Sequence, residues 1–120
     1  MRATLTKQFS FEAAHFLPTF PQGHKCRRMH GHSFRVELVV SGVVPPELGY
    51  LIDYSVIVAA ADPVIEELDH RVLNEIEGLS NPTAELLARW VYERVKSKLP
   101  LLTAVRVQET CTSAAEYAGG

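Results

Sequence analysis

The stretch CRRMHGHSF, residues 26 to 34, sets His30 and His32 two positions apart, with Cys26 four positions ahead of the first. Neutral imidazoles are the usual nitrogen ligands of zinc, and three of them leave a fourth tetrahedral corner for water or substrate. His15 is the third candidate. A His-x-His pair arises often by chance, and a single His in an apolar phase is usually a satisfied core residue. Three unpartnered imidazoles buried together would each cost about 1–3 kcal/mol, and that cost points to a metal. Cys26 stands beside Lys25, Arg27 and Arg28, cations that favour a thiolate able to serve as base or nucleophile. Its competing role is a fourth zinc ligand, which would close the site and make it structural. The basic trio itself fits either local anion binding or a solvated loop.

The elements that must position these groups follow from periodicity. Residues 2 to 16 alternate as a strand with Phe9, Phe11, Ala13 and His15 on one face; residues 30 to 42 alternate again, with His30, His32, Phe34, Val36, Leu38 and Val40 together. If the two pair as an antiparallel hairpin, the end of the first meets the start of the second, and His15 faces His30 and His32. Residues 17 to 29 carry Pro18, Pro21 and Gly23 without periodicity, a loop in which His24 is expected to be exposed.

Pro45, Pro46 and Gly49 mark a turn, YLID (50 to 53) reads as a short strand, and 55 to 68 has helical apolar spacing that Pro63 should kink or divide. A second helix is expected from an Asn81 N-cap with Pro82 at its first position and Glu85 near its positive end, stopping before Pro100. Residues 102 to 112 alternate as a third long strand, and Ser113 to Tyr117 extends it or begins another. Strands, then helices, then a strand indicate an α+β fold: an antiparallel sheet with two helices on one face.

Length and composition narrow the function. With 120 residues and 47% hydrophobic content the chain suits one domain spanning 1–120. A net charge of −2 and a pI near 6.2 provide no field for nucleic acid or anionic membrane, and no window approaches a membrane span, so a cytoplasmic protein is expected. Cys26 and Cys111 read as reduced thiols, Cys111 as a small core residue in phase with Val105 and Val107. Asp69 and His70 are adjacent; on their own they read as a helix-end cap. Glu109 is a lone acid on the apolar phase of a strand. It wants a paired donor set, supplied by Arg106, another internal Arg, or the amidine or guanidine edge of a ligand.

Six ordered blocks, FSFEAAHFL, CRRMHGHSF, IDYSVI, LDHRVLN, NPTAELLARW and QETCTSAAEY, cover nearly the whole chain and resemble the 6-pyruvoyltetrahydropterin synthase family. The short Cys-x-x-x-His-Gly-His spacing is similar to the bacterial 6-carboxytetrahydropterin synthases of queuosine and deazapurine biosynthesis, as is the ending ETCTSAAEY, apart from Ala114 where glycine is expected.

The resemblance implies a tunnelling fold whose sheets join into a barrel, two trimers stacking as a homo-hexamer with sites at subunit interfaces. It implies Zn2+ on His15, His30 and His32, Cys26 as general base, and Asp69 with His70 as a proton-relay dyad supplied across an interface, in place of the capping role. Glu109 would grip the 2-amino-4-oxo edge of a pterin, with Thr83 and Glu85 nearby, although first-turn helix chemistry also accounts for those two. Lys25, Arg27 or Arg28 would neutralise the triphosphate of 7,8-dihydroneopterin triphosphate. The implied activity is a carbon-carbon lyase forming 6-carboxytetrahydropterin. The alternatives are formation of 6-pyruvoyltetrahydropterin and a non-catalytic zinc or pterin-binding domain.

Overall fold

The computed structural model describes residues 1–110 and 112–120. Strands β1 (Arg2–His15) and β2 (His30–Val43) pair antiparallel along their whole length, with Arg2 opposite Val43 and His15 opposite His30. Helix α1 (Tyr54–Leu68), the two-residue strand β3 (Arg71–Val72), helix α2 (Ala84–Lys96), β4 (Leu102–Thr110) and β5 (Ser113–Tyr117) follow. The sheet runs β3-β1-β2-β4-β5 and is antiparallel throughout except where β3 lies parallel to β1.

The period of two decides which face is buried. Phe11, Ala13 and His15 of β1 share a side with Phe34, Val36, Leu38 and Val40 of β2 and Val105 and Val107 of β4. Both helices cover that side, α1 through Ile57, Ala60, Val64 and Leu68, α2 through Leu87, Trp90, Val91 and Val95, all in one core. Phe11 and Phe34 stack at 5.0 Å between ring centres, forming its floor next to the histidines. The other face is polar, with Thr4 bonded to Ser41 at 2.9 Å and Arg106 reaching Glu37 and Glu116 at 3.4 Å each. The α+β arrangement with two helices on one face is therefore what the chain adopts.

Several boundaries differ from the sequence expectation. Residues 50–53 form no strand; Leu51 instead lays its side chain over Gly42, where a Cβ would stand 2.9 Å from it, and Asp53 caps α1 by accepting from Ser55 N–H at 2.8 Å. Pro63 does not divide α1: the carbonyl it deprives of a donor, that of Ala59, belongs to an exposed residue. The cap of α2 is Thr83, whose Oγ1 accepts from Leu86 N–H at 3.1 Å, and not Asn81. The backbone of Pro82 is committed elsewhere, as described below. Chain 113–117 begins a separate strand rather than extending β4, and Cys111, expected in the core, lies outside the described residues.

Candidate metal centre

The hairpin register puts His15 directly across from His30, and His32 across from Ala13 on the same face. One ring nitrogen from each of the three lies within 4.8 Å of the others, and the rings meet edge to face with centres 4.6 to 5.2 Å apart. Phe34 packs edge-on beneath His15 and His32, at 5.3 and 5.5 Å, limiting their rotation. His15 is fully buried. Its Nδ1–H donates to the carbonyl of Pro82 at 2.9 Å, and His30 Nδ1 donates to the Arg28 carbonyl at 2.6 Å. Each of those bonds leaves an Nε2 lone pair facing the cluster.

The electrostatics suit a cation. Burial pulls the pKa of His15 down to about 4, against the raising effect of the Pro82 carbonyl, with His30 and His32 lowering it further. His32 is lowered by burial and then by His30. Both imidazoles are therefore neutral near pH 7 and able to ligate. His15 Nε2 is buried with no protein partner. A buried acceptor left in that state costs about 1–3 kcal/mol, and a divalent ion would remove the deficit. The three histidines fit such an ion on this chain's own geometry.

Cys26 sits on a short 3-10 turn (Lys25–Arg27) just before β2, as a half-buried free thiol. With Lys25, His30 and His32 it lines a cavity of about 260 Å³, so it opens onto the same space as two of the imidazoles. His24 is exposed and its Nδ1 accepts from Cys26 N–H at 3.0 Å. Lys25, Arg27 and Arg28 are exposed, but Arg27 turns its Nη1 to the carbonyls of Pro18 and Phe20, 2.9 Å each.

Asp69 and His70 face each other, Oδ2 to Nδ1 at 3.0 Å, because His70 adopts a left-handed backbone (φ 59°) that swings its ring back. Asp69 ends α1, yet its carboxylate does not cap that helix. Oδ1 accepts from Glu12 N–H at 3.0 Å, while His70 N–H donates to the Glu12 carbonyl at 2.6 Å. The Glu12 N–H first, and the imidazole second, hold the Asp69 carboxyl below the usual carboxylate range. His70 borders a cavity of about 560 Å³ lined also by Glu12, Ser33, Arg71 and His32, at the end of the β1–β2 hairpin. His70 and Cys26 thus line two cavities that have His32 as a common wall.

Glu109 is half-buried. Its carboxyl is pushed up by burial; His30 opposes this and Glu85 adds to it. Arg106 is occupied by Glu37 and Glu116 on the polar face, and no ion pair to Glu109 occurs among the described residues. Glu109, Glu85, Ala84, Ser113 and Ala114 instead line a cavity of about 430 Å³ at the start of α2. Thr83 is engaged as the α2 cap, and Glu85 is exposed in the first turn. The Pro82 carbonyl, which orients His15, left no signal in side-chain spacing because it is a backbone group.

A sequence profile described as 6-pyruvoyl tetrahydropterin synthase matches residues 4–120. A 6-carboxy-5,6,7,8-tetrahydropterin synthase of Synechocystis is 46% identical over 117 residues, covering 92% of this chain and 89% of its own. A dihydroneopterin monophosphate aldolase of Pyrococcus furiosus is 38% identical over 100 residues, covering 83% and 81%. Among solved structures, the 6-pyruvoyl tetrahydropterin synthase of Caenorhabditis elegans superposes with a TM-score of 0.91 at 26% identity, covering all of this chain and 97% of its own. Among the described residues no helix is long and apolar enough to cross a membrane.

Proposed function

The chain belongs to the 6-pyruvoyl tetrahydropterin synthase family, and within it we propose a zinc-dependent 6-carboxy-5,6,7,8-tetrahydropterin synthase acting in queuosine or deazapurine biosynthesis. The observation that carries the reading is the buried, unpartnered Nε2 of His15 meeting two further imidazoles beside a free thiol. It is supported by the 46% identity to a relative of that name.

In this reading His15, His30 and His32 hold the ion, which when bound supplies a Lewis acid for the hydroxyls of the substrate side chain. The substrates are 7,8-dihydroneopterin triphosphate and one water, and the products are 6-carboxytetrahydropterin, acetaldehyde and triphosphate. Cys26 accepts a side-chain proton from the cavity it shares with the imidazoles. Glu109 accepts from the 2-amino and ring N–H donors of the pterin, whose fork matches a carboxylate, with Thr83 and Glu85 at the rim. Lys25 and Arg28 neutralise the triphosphate. Asp69 and His70 relay protons to a site on another copy of the chain, as in the shared sites that the family resemblance implies. That assignment goes with a cytoplasmic homo-hexamer of single-domain chains, sheets joined into a barrel.

Incubation of the zinc-loaded protein with dihydroneopterin triphosphate tests it: acetaldehyde is expected, and a product keeping all three side-chain carbons would replace it with the 6-pyruvoyl activity. A second reading, aldol cleavage of the monophosphate, is favoured by the Pyrococcus furiosus relative. Turnover of the monophosphate alone would select it. Zinc bound without turnover of either would leave a pterin-binding domain, with Cys26 closing the metal site.

A further inference from the structure

The connection from β1 to β2 has no regular structure beyond the turn at Lys25–Arg27, yet it carries Cys26. A base must be held to a fraction of an ångström, and without a strand ladder other bonds have to do this. Cys26 itself is tied on both sides: its carbonyl accepts from N–H of the buried Leu17 at 2.8 Å, and its N–H donates to His24. The next residue is tied harder. Arg27 reaches back along the loop with Nη1, whose two hydrogens match two acceptors, the carbonyls of Pro18 and Phe20. These are charge-assisted bonds, stronger than neutral ones. They join the first half of the loop to the second. The cavity shared by Cys26, His30 and His32 is lined by Lys25 but not by Arg27.

We propose that Arg27 is a positioning residue that clamps the two halves of this loop and thereby fixes Cys26 at the mouth of the imidazole cluster, and that it is not a contact for the substrate's phosphates. The kinetic part of the proposal rests on the pterin-synthase reading; the clamp does not. Arg27 is exposed, and its side-chain hydrogen bonds among the described residues go to the Pro18 and Phe20 carbonyls and not to the three histidines, so its loss is expected to leave metal content and melting temperature in place. What changes is the spread of positions that the Cys26 thiol visits. Misplacement by about 1 Å at a reacting group is enough to cost on the order of 10²-fold in rate.

The test uses the zinc-loaded full chain with Arg27→Met, which keeps the stem without the donors, Arg27→Lys, which restores them, and Lys25→Met. Alkylation by iodoacetamide, followed at the Cys26 peptide by mass spectrometry, is expected to run several-fold faster in Arg27→Met and near the parent rate in Arg27→Lys. In turnover, Arg27→Met should lower kcat by about 10- to 100-fold with KM and inhibition by inorganic triphosphate unchanged. Lys25→Met should do the reverse, raising KM and relieving that inhibition. Unchanged alkylation in Arg27→Met overturns the clamp. A raised KM with lost triphosphate inhibition in Arg27→Met makes Arg27 a phosphate contact and overturns the proposal too. Should the parent protein not turn over the pterin at all, the functional reading fails and the alkylation rates still decide the clamp.

Discussion

Acidification of the metal-free protein should weaken it through His15, with His32 adding in the same direction. The ring is fully buried and its pKa is about 4 in place of the ordinary 6.5. Above pH 6.5 neither the folded nor the unfolded chain protonates it, and its contribution to stability is complete. Between 6.5 and 4 the unfolded chain takes up a proton that the folded chain refuses, so stability falls with pH; below 4 the loss is finished. At 1.36 kcal/mol per pKa unit the whole span amounts to about 3 kcal/mol, of which about 2 kcal/mol falls between pH 7 and 5. For 120 residues the unfolding entropy is about 0.25 kcal/mol per kelvin, so that loss lowers the melting temperature by about 8 °C. The assay is chemical and thermal unfolding at both pH values, with chelator, at one protein concentration, for the parent and His15→Leu. The variant lacks the titrating group, so its loss over the interval should be smaller by that amount. Equal losses in the two proteins would refute the reasoning, as would an NMR titration of the folded parent showing the His15 imidazole protonated at pH 6.

Cys26→Ala should keep zinc, measured by atomic absorption, while abolishing acetaldehyde release, and His30→Ala should lose both; loss of zinc in Cys26→Ala would make the thiol a ligand. Glu109→Gln should weaken pterin binding by roughly 2–5 kcal/mol, read by calorimetry, since a buried charged contact is broken. The same change should raise the ligand-free melting temperature at pH 7, because burial already disfavours the Glu109 carboxylate and stability falls as pH rises through its elevated pKa. Zinc at 100 times its Kd should stabilise the metal-free chain by about 2.7 kcal/mol, roughly 10 °C, and His30→Ala should show no such shift in a melting scan.

The convergence of His15 with His30 and His32 was legible because it needs only a period of two and an antiparallel hairpin. Both strand faces, both helices and the side of the sheet they cover follow from the same kind of repetition. What escaped was carried by backbone groups or by single dihedral angles. Asn81 reads as the better N-cap, but the Pro82 carbonyl is taken by His15 and the helix starts at Thr83. Strand β3 is too short to show alternation. Asp69 and His70 read from the sequence alone as a helix-end cap, and one left-handed φ at His70 turns their side chains together instead. The stitching of the Cys26 loop, with Arg27 on two carbonyls, has no sequence period at all.

The bond from His15 to the Pro82 carbonyl ties a strand residue to the root of α2. Any shift of the ring toward a cation would tug on the turn leading into Thr83 and Glu85, which opens the cavity holding Glu109. In the pterin-synthase reading a single peptide unit therefore stands between the imidazole cluster and the cavity at the start of α2, so a displacement of the ring at one end would be passed to the other.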